Sequence, residues 1–263
     1  MKNTQQCADF LLSLRLNREK TAHIPDTFRP ATIQDGYAAQ DLLVSQLLDE
    51  HGAKLVGYKI GCTSTYAQEL LGVDEPFYGQ LQSHDIYQSQ VELAASDFRA
   101  RIIEPEIGFR IKQDVPHANI PYTAESIRPY IGAAFPTIEI VNPSYEDFGT
   151  VGGPSLVADN AVWGVSIVGQ SIPDWQMINF AAVEVKLFLN DKLIEEGIGS
   201  NALGDPLNVV AWLANTLQSH GKILAANALI STGTTTNVYA AQAGDSIRAE
   251  YARLGSVEVE FCL

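Results

Sequence analysis

Apolar residues recur at helical spacing from the start of the chain. Ala8, Leu11, Leu12 and Leu16 predict a first helix. Thr32-Ile33-Gln34-Asp35 reads as an N-cap ahead of an amphipathic run through Ala38, Leu42, Leu43, Leu47 and Leu48. A short strand is expected over 55–62, then a helix near 67–71 that Asp74-Glu75-Pro76 ends. Beyond Leu81 the pattern turns mostly to strands, at 101–111, 134–141, 161–168, 182–189, 229–232 and 256–262. Asn190-Asp191 marks a hairpin turn. Two helices interrupt the strands, one over 124–131. The other covers 206–220, with Val209, Val210, Leu213 and Leu217 on one face and Gly221 as its C′ residue. Strands and helices do not alternate regularly, which argues against a doubly wound parallel sheet. The expected class is α+β: a smaller N-terminal segment, residues 1–81, and a β-rich domain, residues 82–263.

Composition narrows the partners. The 263 residues carry a formal net charge of −14, with 46% hydrophobic and 18% charged residues, a globular profile. Nucleic acid and anionic membrane surfaces both demand clustered Lys and Arg, so neither is an expected partner. Phe10-Leu11-Leu12 is too short for a signal core or a membrane span. Three cysteines, Cys7, Cys62 and Cys262, lack metal-ligand spacing and suit a reduced cytoplasm. A small anion could bind where a metal or a local cation offsets the overall field.

The candidate chemistry is acidic. Alternation along 101–111 puts Ile103, Pro105, Ile107, Phe109 and Ile111 on one face, and Glu104 and Glu106 on the other. Pro105 donates no hydrogen bond, so this strand is expected at an edge or locally distorted. An exposed acidic edge would explain Glu104 and Glu106 alone. Glu139, however, sits among Phe135, Thr137 and Val141 on an apolar strand face. There a carboxylate needs either a metal or an ion pair, with Arg101 or Arg128 as candidates. Three glutamates on two strands suit Mg²⁺ or Mn²⁺. Lys59, in Gly57-Tyr58-Lys59-Ile60-Gly61, is a cation within an apolar strand, either an anion-binding or catalytic group or a snorkelling side chain. Asp159-Asn160 follows the Gly152-Gly153-Pro154 turn and reads as a capping pair or a ligand contact, and composition favours the cap. Ser231-Thr-Gly-Thr-Thr-Thr236 is rich in donors, and Thr234 within it is a candidate for holding a carboxylate.

These landmarks together resemble the fumarylacetoacetate hydrolase superfamily, in its 2-keto-4-pentenoate hydratase and 4-oxalocrotonate decarboxylase branch. The carriers are GYKIGCTS (57–64), LGVDEPFYG (71–79), IIEPEIGF (102–109), PTIEI (136–140), LVADNAVWG (156–164), GDPLNVVAWLAN (204–215) and LISTGTTT (229–236). The resemblance implies a mixed β-sheet roll around a metal site. It implies that Glu104, Glu106 and Glu139 are the metal-binding carboxylates, that Lys59 is the active-site lysine, and that Lys59, Asp159, Asn160 and Thr234 surround the substrate. The implied substrate is a small 2-hydroxy-dienoate or its 2-keto tautomer, and the implied reaction is hydration. The alternatives are decarboxylation of a 4-oxalocrotonate, acylpyruvate C–C hydrolysis, and a non-catalytic subunit bound to a partner enzyme. A homo-oligomer is expected, with room for association with a related lyase. Two departures stand out. Phe77 occupies a position where hydratases of the branch carry an acid. Val162-Trp163 replaces a Ser-Ser pair whose hydroxyls face the substrate, and this bulky pair is expected to reshape the pocket.

Overall fold

The computed structural model describes residues 2–263. Two helices open it, α1 (Lys2–Asn17) and α2 (Ile33–His51), followed by β1 (Leu55–Gly61), α3 (Thr65–Leu71) and β2 (Phe77–Gln82). Next come β3 (Ile86–Gln88), β4 (Val91–Ala94), β5 (Ile102–Ile111), α4 (Ala124–Ile127), β6 (Ile131–Val141), α5 (Gly153–Ala158) and β7 (Val165–Val168). The C-terminal third holds β8 (Glu184–Leu189), β9 (Lys192–Ile198), α6 (Pro206–Ser219), β10 (Leu229–Ser231), β11 (Tyr239–Ala240), β12 (Ser246–Tyr251) and β13 (Gly255–Cys262). The mixed class expected from the sequence is the class observed.

Local chemistry sets several boundaries. Thr32 and Asp35 form a reciprocal capping box at the start of α2, and Gly52 closes it in the left-handed region. Asn190 and Asp191, at φ 49° and 63°, make the two-residue turn that joins β8 to β9. Gly221, at φ 70°, follows α6 as anticipated.

The strands form two sheets. The first runs β2-β1-β10-β5-β6-β7-β3, with β11 paired to the start of β5. The second runs β4-β13-β12-β8-β9. In the first sheet β1/β10 and β3/β7 are parallel, and the remaining pairs are antiparallel. One face of this sheet presents Ile60, Ile103, Ile107, Phe109, Ile138, Ile140 and Ile230 to the main core, which extends through α1, α2, α6 and the second sheet. The other face carries Lys59, Glu104, Glu106, Glu139 and Ser231. Farther along it lies a smaller apolar cluster of Leu81, Phe135, Trp163, Val168 and Leu229.

β5 is central, not an edge strand. It lies between β6 on one side and β10 and β11 on the other. The expected distortion is instead a break in its neighbour: β10 pairs only with Gly108–Arg110 and β11 only with Ile102–Ile103. Opposite the gap, the 232–236 loop serves the free carbonyls. Thr235 donates its amide and hydroxyl to Pro105 O, each at 2.8 Å, and Thr232 donates its hydroxyl to Ile107 O at 2.7 Å. Pro105, which has no N–H to offer, sits where no strand asks for one.

A second difference concerns 161–168. Only Val165–Val168 is strand. Asn160, Ala161 and Val162 instead take successive left-handed φ values of 52°, 53° and 55°. Such a run is costly for residues other than glycine, most of all for β-branched Val162.

Candidate active site

The acidic triad is assembled by sheet register. Glu104 and Glu139 are directly opposed across the antiparallel β5/β6 pair, and Glu106 follows Glu104 on the same face. Like charges so placed repel. Glu106 and Glu139 are fully buried, and one carboxylate oxygen from each of the three glutamates lies within 4.8 Å of the others. Glu106 accepts a short hydrogen bond from the Ser231 hydroxyl. Its Oε1, and both oxygens of Glu139, have no hydrogen-bond donor. Buried carboxylate oxygens without donors are rare, because their desolvation is uncompensated. Burial pushes Glu139 up to about 7, the Lys59 cation opposes the rise and the Glu104 charge adds to it. Burial, with Glu139 and Glu104, pushes Glu106 well upward as well.

Lys59 supplies the opposing charge. Register carries it from β1 across Ser231 of β10 to β5. Its Nζ is 3.0 Å from Glu139 Oε1, at an angle that makes an ion pair but no well-formed hydrogen bond, and it donates to Ala161 O at 3.0 Å. Lys59 is buried, which excludes snorkelling. Burial alone would lower its pKa, but the charges of Glu139, Glu104 and Glu106 raise it, so it stays cationic. Glu139 therefore pairs with Lys59 and not with Arg101 or Arg128, whose guanidinium groups donate to backbone carbonyls.

The donor set fits a hard divalent cation. It is all oxygen, it is anionic, and it keeps Glu106 Oε1 and Glu139 Oε2 buried without a donor while Glu139 Oε1 meets only the Lys59 cation. Above it opens a cavity of about 670 Å³, lined at the polar end by Lys59, Glu104, Thr63 and Thr234. Its remaining walls are mostly apolar and include Phe77, Val141, Phe148, Leu156 and Val162.

The other sequence candidates separate. Thr234 lines the cavity. Asp159 and Asn160 do not line it. Asp159 is fully buried and accepts from Arg15 Nε at 2.9 Å and from the Ser144 amide and hydroxyl, each at 2.8 Å. Asn160 clasps the backbone of Gln80, accepting from its N–H at 2.7 Å and donating to its carbonyl at 2.9 Å. Both hold the left-handed turn in place, which is the capping alternative. The turn in turn presents the Ala161 carbonyl to Lys59. Val162 lines the cavity as expected, but Trp163 does not. Its ring packs in the smaller apolar cluster, and its Nε1 donates to Asp85 at 3.1 Å. The left-handed turn reverses the chain between these two neighbours, so they face different surroundings.

Sequence reasoning missed Ser231 as an individual partner of Glu106, and it missed Arg15 and Gly79. A β-carbon on Gly79 would come within 2.5 Å of Asn160 O, so only glycine lets the turn approach β2. Its position opposite Lys59 in the β1/β2 register was the available signal, but only once the register was known.

The fold and the acidic triad define a class. The fumarylacetoacetate hydrolase C-terminal family model matches residues 66–261, and the chain belongs to that family. It is 30% identical over 257 residues to the 2-keto-4-pentenoate hydratase of Paraburkholderia xenovorans, covering 98% of this chain and 94% of the relative. It is 31% identical over 251 residues to the 4-oxalocrotonate decarboxylase of Pseudomonas putida, covering 93% of each. A solved structure of a Pseudomonas putida 4-oxalocrotonate decarboxylase, complexed with magnesium and adipate, superposes with a TM-score of 0.92 at 28% identity over 99% of this chain and 97% of that one.

Proposed function

We propose that this protein is a divalent-metal-dependent lyase of the hydratase type, acting on a small 2-hydroxy-dienoate or 2-keto-enoate acid. The carrying observation is the set of buried carboxylate oxygens without donors, placed beside Lys59 at the polar end of an apolar cavity. Glu104, Glu106 and Glu139 would hold Mg²⁺ or Mn²⁺, which when bound supplies Lewis acidity to the C1 carboxylate and C2 oxygen of the acid. Lys59 stays cationic beside the same oxygens. It orients the anionic head, stabilises negative charge developing at C2, and is the nearest protein group for moving a proton there. Thr234 offers a hydroxyl at the same end of the cavity. Phe77 and Val162 limit the water that reaches the conjugated carbons. The net reaction is ketonisation of the dienol, with its proton placed on C5, and addition of one water, hydroxyl at C4 and hydrogen at C3.

Decarboxylation is the second reading, favoured by Phe77. No acid stands at that wall to activate water, and loss of CO₂ needs none: the C5–C6 bond breaks and its electron pair passes through the conjugated system toward the C2 oxygen. A cytoplasmic homo-oligomer, with association with a related lyase as an option, completes the proposal. The free thiols of Cys7, Cys62 and Cys262 suit a reducing compartment. Among the described residues, no helix is long and apolar enough to cross a membrane.

The test is incubation of purified protein with Mg²⁺ and 2-hydroxypenta-2,4-dienoate. Loss of dienol absorbance with formation of 4-hydroxy-2-ketopentanoate supports hydration, and release of CO₂ from 4-oxalocrotonate supports decarboxylation. Glu106→Gln should abolish either activity together with Mg²⁺ binding. Inertness of the unaltered protein toward both compounds sinks the proposal.

A further inference from the structure

The geometry points to a substrate that carries an apolar tail, and no second carboxylate, beyond its 2-keto acid head. This inference rests on the head-group assignment proposed above and extends it to the far end of the molecule. The cavity of about 670 Å³ lies within the range of about 300–1,000 Å³ that encloses a drug-sized ligand. A five-carbon acid seated at Glu104 and Lys59 leaves much of that space to the apolar walls.

Charge decides what can fill the rest. Lys59 is the only cation lining the cavity among the described residues, and it already stands 3.0 Å from Glu139. Besides Lys59 and Glu104, the ionisable wall groups are Glu196, Tyr66 and the Cys62 thiol, which burial pushes up to about 12 and so keeps neutral. A second carboxylate would thus leave water for a cavity that offers no further cation and already holds Glu104 and Glu196, in a chain of net charge −14. An apolar group meets Phe77, Phe148, Leu156 and Val162 instead.

α3 carries the second, independent observation. None of its seven residues is buried. Ser64 caps it at Ala67 N, Gly72 closes it in the left-handed region, and Ala67 and Leu71 pack its inner face against the main core. Tyr66 and Leu70, one helical turn apart on one face, both line the cavity mouth, yet they are 74% and 60% exposed. A surface helix ordinarily turns its large apolar residues to a core. Here they gain cover when an apolar tail extends from the head group to the mouth. Tyr66 and Leu70 are therefore specificity-determining residues for the tail.

The experiment is a substrate series with the full chain and saturating Mg²⁺: 2-hydroxypenta-2,4-dienoate and its 5-methyl, 5-phenyl and 5-carboxy counterparts, followed by dienol absorbance. The 5-methyl compound should exceed the parent in kcat/KM by about tenfold, the usual discrimination for one carbon in an apolar pocket. The 5-phenyl compound should do at least as well, and the 5-carboxy compound should fall below the parent. Leu70→Ser, at an exposed site where folding is not at stake, should lower the ratio of 5-phenyl to parent kcat/KM severalfold. A flat ranking, a preference for the 5-carboxy compound, or an unchanged ratio in Leu70→Ser overturns the tail inference alone. A preference for the 5-carboxy compound would also favour the decarboxylase reading. Absence of both turnover and Mg²⁺-dependent binding across the series overturns the head-group assignment, and this inference with it.

Discussion

Glu139 shows at the scale of one residue how a buried charge is arranged to be used. It faces Glu104 directly across the β5/β6 ladder, and its two oxygens have no donor, so only Lys59 and a proton offset its charge in the metal-free protein. Its pKa, raised by burial from 4.5 to about 7, has a consequence for stability. Between those values the folded chain holds a proton that the unfolded chain has released, so metal-free stability falls as pH rises from about 4.5 to about 7. Above about 7 the Glu139 share of the penalty is fully present, and Glu106, pushed well upward, carries the decline further. Urea unfolding of chelator-treated protein across this range should show the decline, and Mg²⁺ should remove it while releasing protons, measurable by calorimetry in buffers of different ionisation heat. A metal-free protein whose stability rises over the same interval would contradict the arrangement. Gly79 belongs to the same scale. Gly79→Ala would drive a methyl group to within 2.5 Å of Asn160 O. The expected result is a loss of about 1–3 kcal/mol of stability, with a fall in kcat of tenfold or more as Ala161 O withdraws from Lys59.

At the scale of elements, the left-handed turn at 160–162 and the break beside β5 do most of the positioning. The turn stores strain of about 1–3 kcal/mol for each such residue. It persists because Arg15, Ser144 and Gln80 fix it from three directions. Arg15 comes from α1, so the helix most distant in sequence supports the loop that supports Lys59. Its guanidinium also donates to the carbonyls of Asp159 at 2.6 Å and Trp163 at 3.1 Å. Asp159→Asn should leave the Arg15 charge unpaired in a site where its side chain is only 10% exposed, and destabilise the protein by about 3 kcal/mol. A shifted urea midpoint would register this. A direct substrate contact would instead show as a raised KM with unchanged stability.

For the whole molecule, the two sheets, α1 and α2 share one main core. Cys7, Ala8, Leu11 and Leu14 of α1 are buried in it, and strands from both sides of residue 82 pair within the first sheet. Removing residues 1–17 should therefore cost the burial of these side chains, about 1.5–3 kcal/mol for each leucine, together with the Arg15 contacts. The truncated chain should melt at a markedly lower temperature and lose Mg²⁺ binding with it. The intact chain should unfold with fluorescence and circular dichroism changing together.

Local chemistry made much of this legible in advance. The Thr32–Asp35 capping box, the Asn190-Asp191 hairpin, α6 with Gly221 beyond it, and the pairing of Glu104 with Glu106 on one face depend on neighbours in the chain, and the structure has each of them. The acidic triad could be anticipated because an ionisable side chain on an apolar face demands a partner wherever it folds. Five strands go unread: β2, β3, β4 and β11 are short or weakly patterned, and β12 is missed although Ile247, Ala249 and Tyr251 alternate with polar residues. The β7 reading runs too long because Asn160-Ala-Val162 has strand-like composition and a left-handed backbone. What tertiary structure alone decided was register and turn: which residues stand opposite Lys59, which strand leaves Pro105 unpaired, and which of Val162 and Trp163 meets the cavity. Those outcomes depend on pairing between segments far apart in sequence. A shift of one residue there exchanges the two faces of a strand, and no local pattern records it.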